Sequence, residues 1–412
     1  MEKRIKDFKD LGLGLFIHYG LYSRYEAGEW FWEMNGLTEE KYFNEDTKDF
    51  ELKANFKKIT SWAQTNGFKY IVLTSKHHDG FGLYDSEKLS KYDINWLNCN
   101  QRDLISEFIE QSLINGIKPF IYYATMDWIK TNNLNFNEHI DNIYNNVEFL
   151  LKKYGKKISG FWFDGNWSEL EKDWKDDRLY NMIRKYNQDC IIVNNTGLES
   201  KGVVSNKNID SVTFEQGKIE DFKDNDSLKE KAFEVCYTLN GHWGFAKNDF
   251  DFKSPKKVIE DFVEIRKNHG NFLLNIGLNK DGDVGLMEKG IITEFGKWNN
   301  LNDNDLQKAF EVIKKEENYY IIKNAEKNYK IYYSNLKSGA HIDNIHYGNS
   351  TDSIVELSLG NNEKVISVKY ADNKNECSWK MDNNNLIIDV ESFSYGINTV
   401  VRIIEIKVKK NV

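Results

Sequence analysis

Five apolar runs in this chain end in residues that can move protons or hold a substrate. Gly160-Phe161-Trp162-Phe163-Asp164-Gly165 runs into one carboxylate and stops at a glycine. Side chains alternate along a strand, so Trp162 and Asp164 share one face while Phe161 and Phe163 take the other. Phe16-Ile17-His18-Tyr19-Gly20, Thr74-Ser75-Lys76-His77-His78-Asp79, Tyr122-Tyr123 and Phe214-Glu215 end in the same manner. A lone carboxylate there often only caps a turn, and a lone histidine is more often a satisfied buried group than a catalyst. Five together on one rim point to a site.

Two chemistries could use such a rim. Metal-assisted hydrolysis would take His18, His77, His78 and Asp164 as ligands. Neighbouring histidines on an extended strand face opposite ways, however, and cannot share an ion without a local bend. Glycoside hydrolysis needs one carboxylate near the anomeric carbon and a second near the leaving oxygen. Asp164 supplies the first, and Glu215, Glu220 or Glu234 could supply the second. Histidines would then bond sugar hydroxyls, with Trp30, Trp162 and Trp243 as flat apolar walls. Aromatic residues make up 14% of the chain, with 11 Trp, and that richness favours sugar.

The elements that must position these residues are short strands alternating with amphipathic helices. Strand candidates are Leu13–His18, Lys69–Thr74, Ile117–Tyr123, Ile158–Phe163, Cys190–Val193, Ser211–Phe214, Ala232–Tyr237 and Phe272–Ile276. Eight is the number that a closed parallel barrel requires, and such barrels keep their chemistry at the carboxyl ends of the strands. Between them, Leu52, Phe56, Ile59 and Ala63, and later Ile140, Ile143, Val147, Leu150 and Leu151, recur at helical spacing. Ser254-Pro255 reads as a cap followed by a first-turn proline. From about Asn318 the texture changes to strands separated by Asn, Asp and Gly: Tyr319–Ile322, Tyr329–Tyr333, Ser353–Leu359, Lys364–Tyr370, Leu386–Val390 and Thr399–Val408. The expected architecture is α/β: a (β/α)8 TIM-like barrel over residues 1–310, followed by a C-terminal antiparallel β-sandwich over 311–412.

Composition bounds the partners. The 412 residues carry a net charge of −8 with scattered basic residues, which gives no footprint for nucleic acid. No stretch approaches a membrane span. The four cysteines are widely spaced and form no CxxC pair. Met1-Glu2-Lys3-Arg4-Ile5-Lys6-Asp7 lacks an apolar leader core, so a cytoplasmic protein is expected unless a signal has been removed. Gly12-Leu13-Gly14 precedes a strand and opens no helix, so it is not a phosphate loop.

The motifs then become specific as a set. Phe16-Ile17-His18-Tyr19-Gly20-Leu21-Tyr22-Ser23, Gly28-Glu29-Trp30, Lys76-His77-His78-Asp79-Gly80-Phe81, Arg102-Asp103-Leu104-Ile105, Trp162-Phe163-Asp164-Gly165, Phe233-Glu234-Val235-Cys236, Trp243-Gly244-Phe245 and Gly270-Asn271-Phe272-Leu273-Leu274-Asn275-Ile276-Gly277 follow in order. Over roughly residues 8–315 the chain resembles the α-L-fucosidases of glycoside hydrolase family 29. The resemblance implies a retaining exo-α-L-fucosidase acting on a fucosylated oligosaccharide or glycoconjugate, without metal or organic cofactor. It matches Asp164 to the nucleophile and Glu215 to the acid/base, with Glu234 as the fallback acid. It places His18, Glu29, Trp30, His77, His78 and Tyr122 around the fucose hydroxyls, and Trp162 and Trp243 against its C5–methyl edge. One departure is plain: where some members carry an arginine after the fifth strand, this chain reads Asn194-Asn195-Thr196-Gly197. A related retaining glycosidase on another galacto-configured sugar, or a fucose-binding protein without turnover, would share most of these residues.

Overall fold

The computed structural model describes residues 1–99, 102–129, 135–222, 230–336, 354–360, 362–394 and 396–410. The chain groups into two compact units: Met1–Lys253 with Asn268–Thr293, and Ser254–Lys267 with Glu294–Val412. In the first, eight parallel strands close a barrel: β1 (Leu13–His18), β2 (Tyr70–Lys76), β3 (Lys118–Ala124), β4 (Gly160–Asp164), β5 (Ile191–Asn194), β6 (Ser211–Glu215), β7 (Ala232–Thr238) and β8 (Asn271–Gly277). β8 pairs back onto β1 from Leu13↔Phe272 to His18↔Gly277, so no edge remains. The strands are buried almost throughout, as expected where both faces of a parallel sheet are covered.

The interior is aromatic. Phe16, Tyr70, Phe120, Tyr122 and Trp162 pack with Val72, Val193 and Leu273. The N-terminal helix Lys3–Leu11 adds Ile5 and Phe8 to this cluster, and the Phe8 ring lies 5.3 Å from that of Tyr70. Trp162 points into this core while Phe161 and Phe163 stack outside it, 5.7 Å apart. The alternation read from the sequence therefore fixes Asp164, two residues on, to the inner side of the mouth.

The helices follow their signals with adjusted ends. The first periodic helix begins at Phe56, because the Asn55 side chain accepts from Lys58 N at 3.1 Å and caps it; Leu52 lies before the cap. Pro255 does open the helix to Lys267, with Ser254 Oγ accepting from Lys257 N. One crossover departs from the (β/α)8 pattern: residues 195–210, between β5 and β6, contain no helix. Among the described residues no helix is long and apolar enough to cross a membrane.

The second unit holds a five-stranded sheet in the order β13-β16-β11-β10-β9 and a three-stranded sheet in the order β12-β15-β14. These are β9 (Glu311–Lys315), β10 (Tyr319–Lys323), β11 (Tyr329–Tyr333), β12 (Ile354–Ser358), β13 (Glu363–Tyr370), β14 (Ser378–Asp382), β15 (Asn385–Asp389) and β16 (Arg402–Lys410). Ile331, Ile404 and Ile406 of the first sheet share one core with Val355, Leu357, Leu386 and Ile388 of the second, which makes a sandwich. β9 and β14 gave no sequence signal, since β14 is exposed along its length and β9 buries no side chain fully. Ser353, expected to begin β12, lies outside the described residues.

Arg402 anchors this unit. Its guanidinium is buried, stacks 3.5 Å from the Tyr370 ring centroid, and donates to Asp372, Glu391 O and Ser392 O. Removing one partner of a buried pair strands the other. Arg402→Ala should therefore destabilise the second unit by about 3–5 kcal/mol, read as a lower urea midpoint by circular dichroism. An unchanged midpoint would show that the pair contributes nothing net.

Candidate active site

The strand β4 carries Asp164 to the barrel mouth and must then turn at once. Gly165 makes that turn with φ +116, and a Cβ there would sit 2.5 Å from Met126 N. No other residue combines that backbone angle with that approach. The following turn, Asn166–Glu169, swings Trp167 back over the carboxylate. Asp164 is thereby held from four sides. Oδ1 accepts from Trp167 Nε1 at 2.7 Å and Asn195 Nδ2 at 3.1 Å; Oδ2 accepts from Tyr122 OH at 2.9 Å and lies 3.4 Å from His78 Nε2. Burial pushes its pKa up, but bonds from His78, Trp167 and Tyr122 outweigh this and hold it below the usual carboxylate value. Asp164 is a partly buried anion at neutral pH.

The second carboxylate stands one strand beyond Asn195. Glu215 ends β6, and its Oε2 accepts from the same Asn195 Nδ2 at 2.8 Å. The amide cannot be reversed, because its Oδ1 accepts from Thr213 Oγ1 at 2.9 Å and Gly197 N at 3.2 Å. One NH2 group thus bridges both carboxyls. Its two hydrogens diverge by about 120°, which sets the bridged oxygens roughly 5 Å apart, near the spacing of a carboxyl pair that works by double displacement. Burial first, and then the Asp164 charge, push Glu215 up to about 7, with the Asn195 bond opposing them. The two carboxyls therefore differ in protonation at neutral pH.

Around the pair lies a cavity of about 520 Å³. His18, Glu29, Trp30, His77, His78, Tyr122, Trp162, Trp243, Asp164 and Glu215 all line it. His18 Nδ1 contacts Asn275 Oδ1 at 2.7 Å, and Asn275 Nδ2 donates to Trp243 O at 2.7 Å. The oxygen side of Asn275 thus faces the ring, so Nδ1 carries the proton and Nε2 is left as an acceptor. Burial holds His18 down to about 3, so it stays neutral. His77 is likewise held well below its ordinary value by burial, and its Nδ1 has no partner among the described residues. Glu29 Oε2 accepts from the backbone N–H groups of Trp243 and Gly244, at 3.1 and 2.7 Å, and burial raises its pKa. Trp162 stacks on Tyr122 with ring centroids 5.6 Å apart, and Trp243 lies 5.4 Å from the His18 ring.

Two placements and one strand argument differ from the sequence reading. His77 and His78, which alternation along a strand would set on opposite faces, both line the cavity, because β2 ends at Lys76 after a register shift and the pair lies in the loop beyond it. Glu234 does not reach the cavity. It is fully buried inside the barrel, accepting from Trp162 Nε1 at 2.9 Å and from Tyr70 OH. Glu220 is exposed and lies outside the cavity. Sequence reasoning missed Asn195 and Trp167. Trp167 could have been suspected from its place three residues after Asp164, whereas an asparagine in a polar loop carries no such signal. Among the described residues no group of three or more His, Cys, Asp or Glu side chains converges as a metal site would require.

Residues 2–304 match the family profile described as Alpha-L-fucosidase. The chain belongs to the α-L-fucosidase family. Its members are glycoside hydrolases, family 29 in the classification that the motifs indicated. A putative α-L-fucosidase of Caenorhabditis elegans is 26% identical over 333 residues, covering 71% of this chain and 64% of the worm protein. This chain therefore spans under two thirds of that relative's length. Among solved structures, α-L-fucosidase isoenzyme 1 of Paenibacillus thiaminolyticus superposes with TM-score 0.81 at 26% identity, covering 99% of both chains. A Bacteroides thetaiotaomicron α-L-fucosidase, solved as a trapped covalent intermediate with 2-fluoro-fucosyl fluoride, shares the fold with TM-score 0.79 at 21% identity, over 99% of this chain and 97% of that one.

The fucosidase fold here uses Asn195 to couple its two carboxyls. Its N–H favours the ionised form of Glu215, so Asn195→Ala should raise the Glu215 pKa above about 7. Carboxyl 13C shifts, assigned against Glu215→Gln, follow that titration. A fall, or no change, would mean that the amide does not bridge the pair in solution.

Proposed function

We propose that this chain is a retaining exo-α-L-fucosidase, with Asp164 as nucleophile and Glu215 as acid/base. The observation that carries this reading is the single Asn195 amide bonded to both carboxyls, an anion on one side and a group titrating at about 7 on the other. The covalent intermediate of the Bacteroides fold relative supports it.

In the first step an Asp164 oxygen attacks the anomeric carbon of fucose while the glycosidic C–O bond breaks. Glu215 gives its proton to the departing oxygen. In the second, Glu215 takes a proton from water as the water oxygen attacks the same carbon. The aspartyl ester bond then breaks, returning both carboxyls to their starting states. His18 Nε2 accepts from one sugar hydroxyl. His77 and Glu29 serve others, and the Phe16, Trp162 and Trp243 rings receive the apolar C5–methyl edge. Thr196, standing where some family members carry an arginine, brings no charge to Glu215, and Asn195 bonds that carboxyl instead.

Three measurements test this. Aryl α-L-fucoside should be hydrolysed, with α-L-fucose as the first anomer seen by NMR; β-L-fucose would overturn the double displacement. Asp164→Ala should lower kcat by on the order of 10⁴–10⁶-fold with the fold retained. The pH profile follows from the raised pKa of Glu215. As the acid it must be protonated, so kcat/KM should be sustained below about 7 and fall as pH rises through it. Asp164, held low, imposes an acid limb only below the ordinary carboxylate range. An alkaline limb that survives Glu215→Gln would assign the acid elsewhere.

A further inference from the structure

The catalytic cavity does not end at the carboxyl pair. A second cavity, of about 640 Å³, shares Trp167, Leu170, Asn195, Thr196 and Ser200 with it. Two of these, Asn195 and Trp167, are among the side chains bonded to Asp164, and Asn195 also holds Glu215. The second cavity therefore adjoins the carboxyl pair on its Asn195 and Trp167 side.

Its walls come from the segment after β4 and from residues of the helix-free crossover between β5 and β6. Gly197 lets that crossover approach closely: its φ is +79, and a Cβ there would lie 3.1 Å from the Trp167 ring. At the junction Leu170 and Leu198 are 73% and 58% exposed, apolar side chains with nothing packed over them in this chain. Beyond the junction Trp174 is half-buried, its ring T-shaped against Phe136 at 5.1 Å and its Nε1 donating to Glu169 O at 3.2 Å. The charges cancel. Lys172, Lys175 and Arg178 stand against Asp173, Asp176 and Asp177, and Lys175 and Arg178 are already engaged, with Asp173 at 2.6 Å and Asp141 at 2.5 Å. A cleft of indole, hydroxyl and amide with no net charge suits a neutral carbohydrate, stacked on Trp174 by its aliphatic face. It does not suit an anionic glycan or a bare hydrophobic aglycone.

We infer that this second cavity binds the leaving-side sugars, so that the substrate is fucose borne on a neutral oligosaccharide of two or more further residues. The inference rests on the fucosidase reading above and narrows its substrate class. Binding energy from sugars remote from the scissile bond would be used at the transition state.

The test compares kcat/KM for three α-L-fucosides: the 4-nitrophenyl glycoside, fucosyl-N-acetylglucosamine, and di-N-acetyllactosamine carrying one terminal fucose. The wild type should favour the last over the second by tenfold or more. Val203→Arg, at a residue half exposed in the second cavity only, and Trp174→Ala should each cut the ratio of pentasaccharide to nitrophenyl activity at least fivefold. Equal activity on the two glycans, or ratios unmoved in both variants, would overturn the cleft. If no fucoside is cleaved, the fucosidase reading fails instead. Unfucosylated di-N-acetyllactosamine then decides the cleft. Quenching of tryptophan fluorescence that Trp174→Ala abolishes would support it, and no quenching at millimolar sugar would sink it.

Discussion

A partly buried anion at the mouth of the barrel organises the first unit. Taking a carboxylate out of water costs several kcal/mol unless donors replace the water. Asp164 has donors from four separate pieces of chain: His78 beyond β2, Tyr122 on β3, Trp167 after β4 and Asn195 after β5. No local segment could assemble that set. It requires consecutive parallel strands side by side in order, which is what a closed barrel provides. The aromatic packing below then has a second task. Tyr122 and Trp162 stack, and Phe16 meets Trp162 at 5.0 Å, so the floor under the anion is closely packed aromatic rings. A low local dielectric strengthens hydrogen bonds made above such a floor.

Burial alone does not say which carboxyl does chemistry. Glu215 and Glu234 are both pushed up to about 7, and burial is the first cause in each. Glu234 sits beneath Trp162 with both oxygens occupied, by the indole N–H and the Tyr70 hydroxyl. Glu215 faces the cavity and shares its amide with Asp164. A raised pKa marks a candidate, and access to a reacting atom separates an acid from a structural brace. Burial raises both glutamates alike, and only Glu215 faces the cavity.

The sequence made legible what repeats and hid what depends on neighbours. Period-two alternation put Trp162 and Asp164 on one face, and the eight apolar runs are the eight barrel strands within one to two residues. Alternation fails where the strand stops, which is why His77 and His78 looked opposed yet line one cavity. Asn195 was invisible for a deeper reason. Its role comes from Thr213 and Gly197, which orient its amide, and from two carboxyls on other strands. None of these bonds is marked by type or spacing along the chain. The missing helix between β5 and β6 was hidden too, because an eight-strand count implies a helix for every crossover. In the second unit, strands with a buried face were readable and the fully exposed β14 was not.

The asymmetry of the carboxyl pair is where these threads meet. Both groups are partly buried, and desolvation acts on both in the same direction. They part because donors are unevenly dealt: Asp164 has four, whereas Glu215 draws on one that it must share. Once Asp164 is ionised its charge pushes Glu215 further up, so the first inequality enlarges the second. A cation in the place of Asn195 would work against that division, since a full positive charge beside Glu215 would favour its ionised form. A neutral amide measures the gap between the carboxyls and bonds both, while leaving the split in protonation to the donors on Asp164. A barrel of this kind can therefore divide its two carboxyls with no cation in the bridging position.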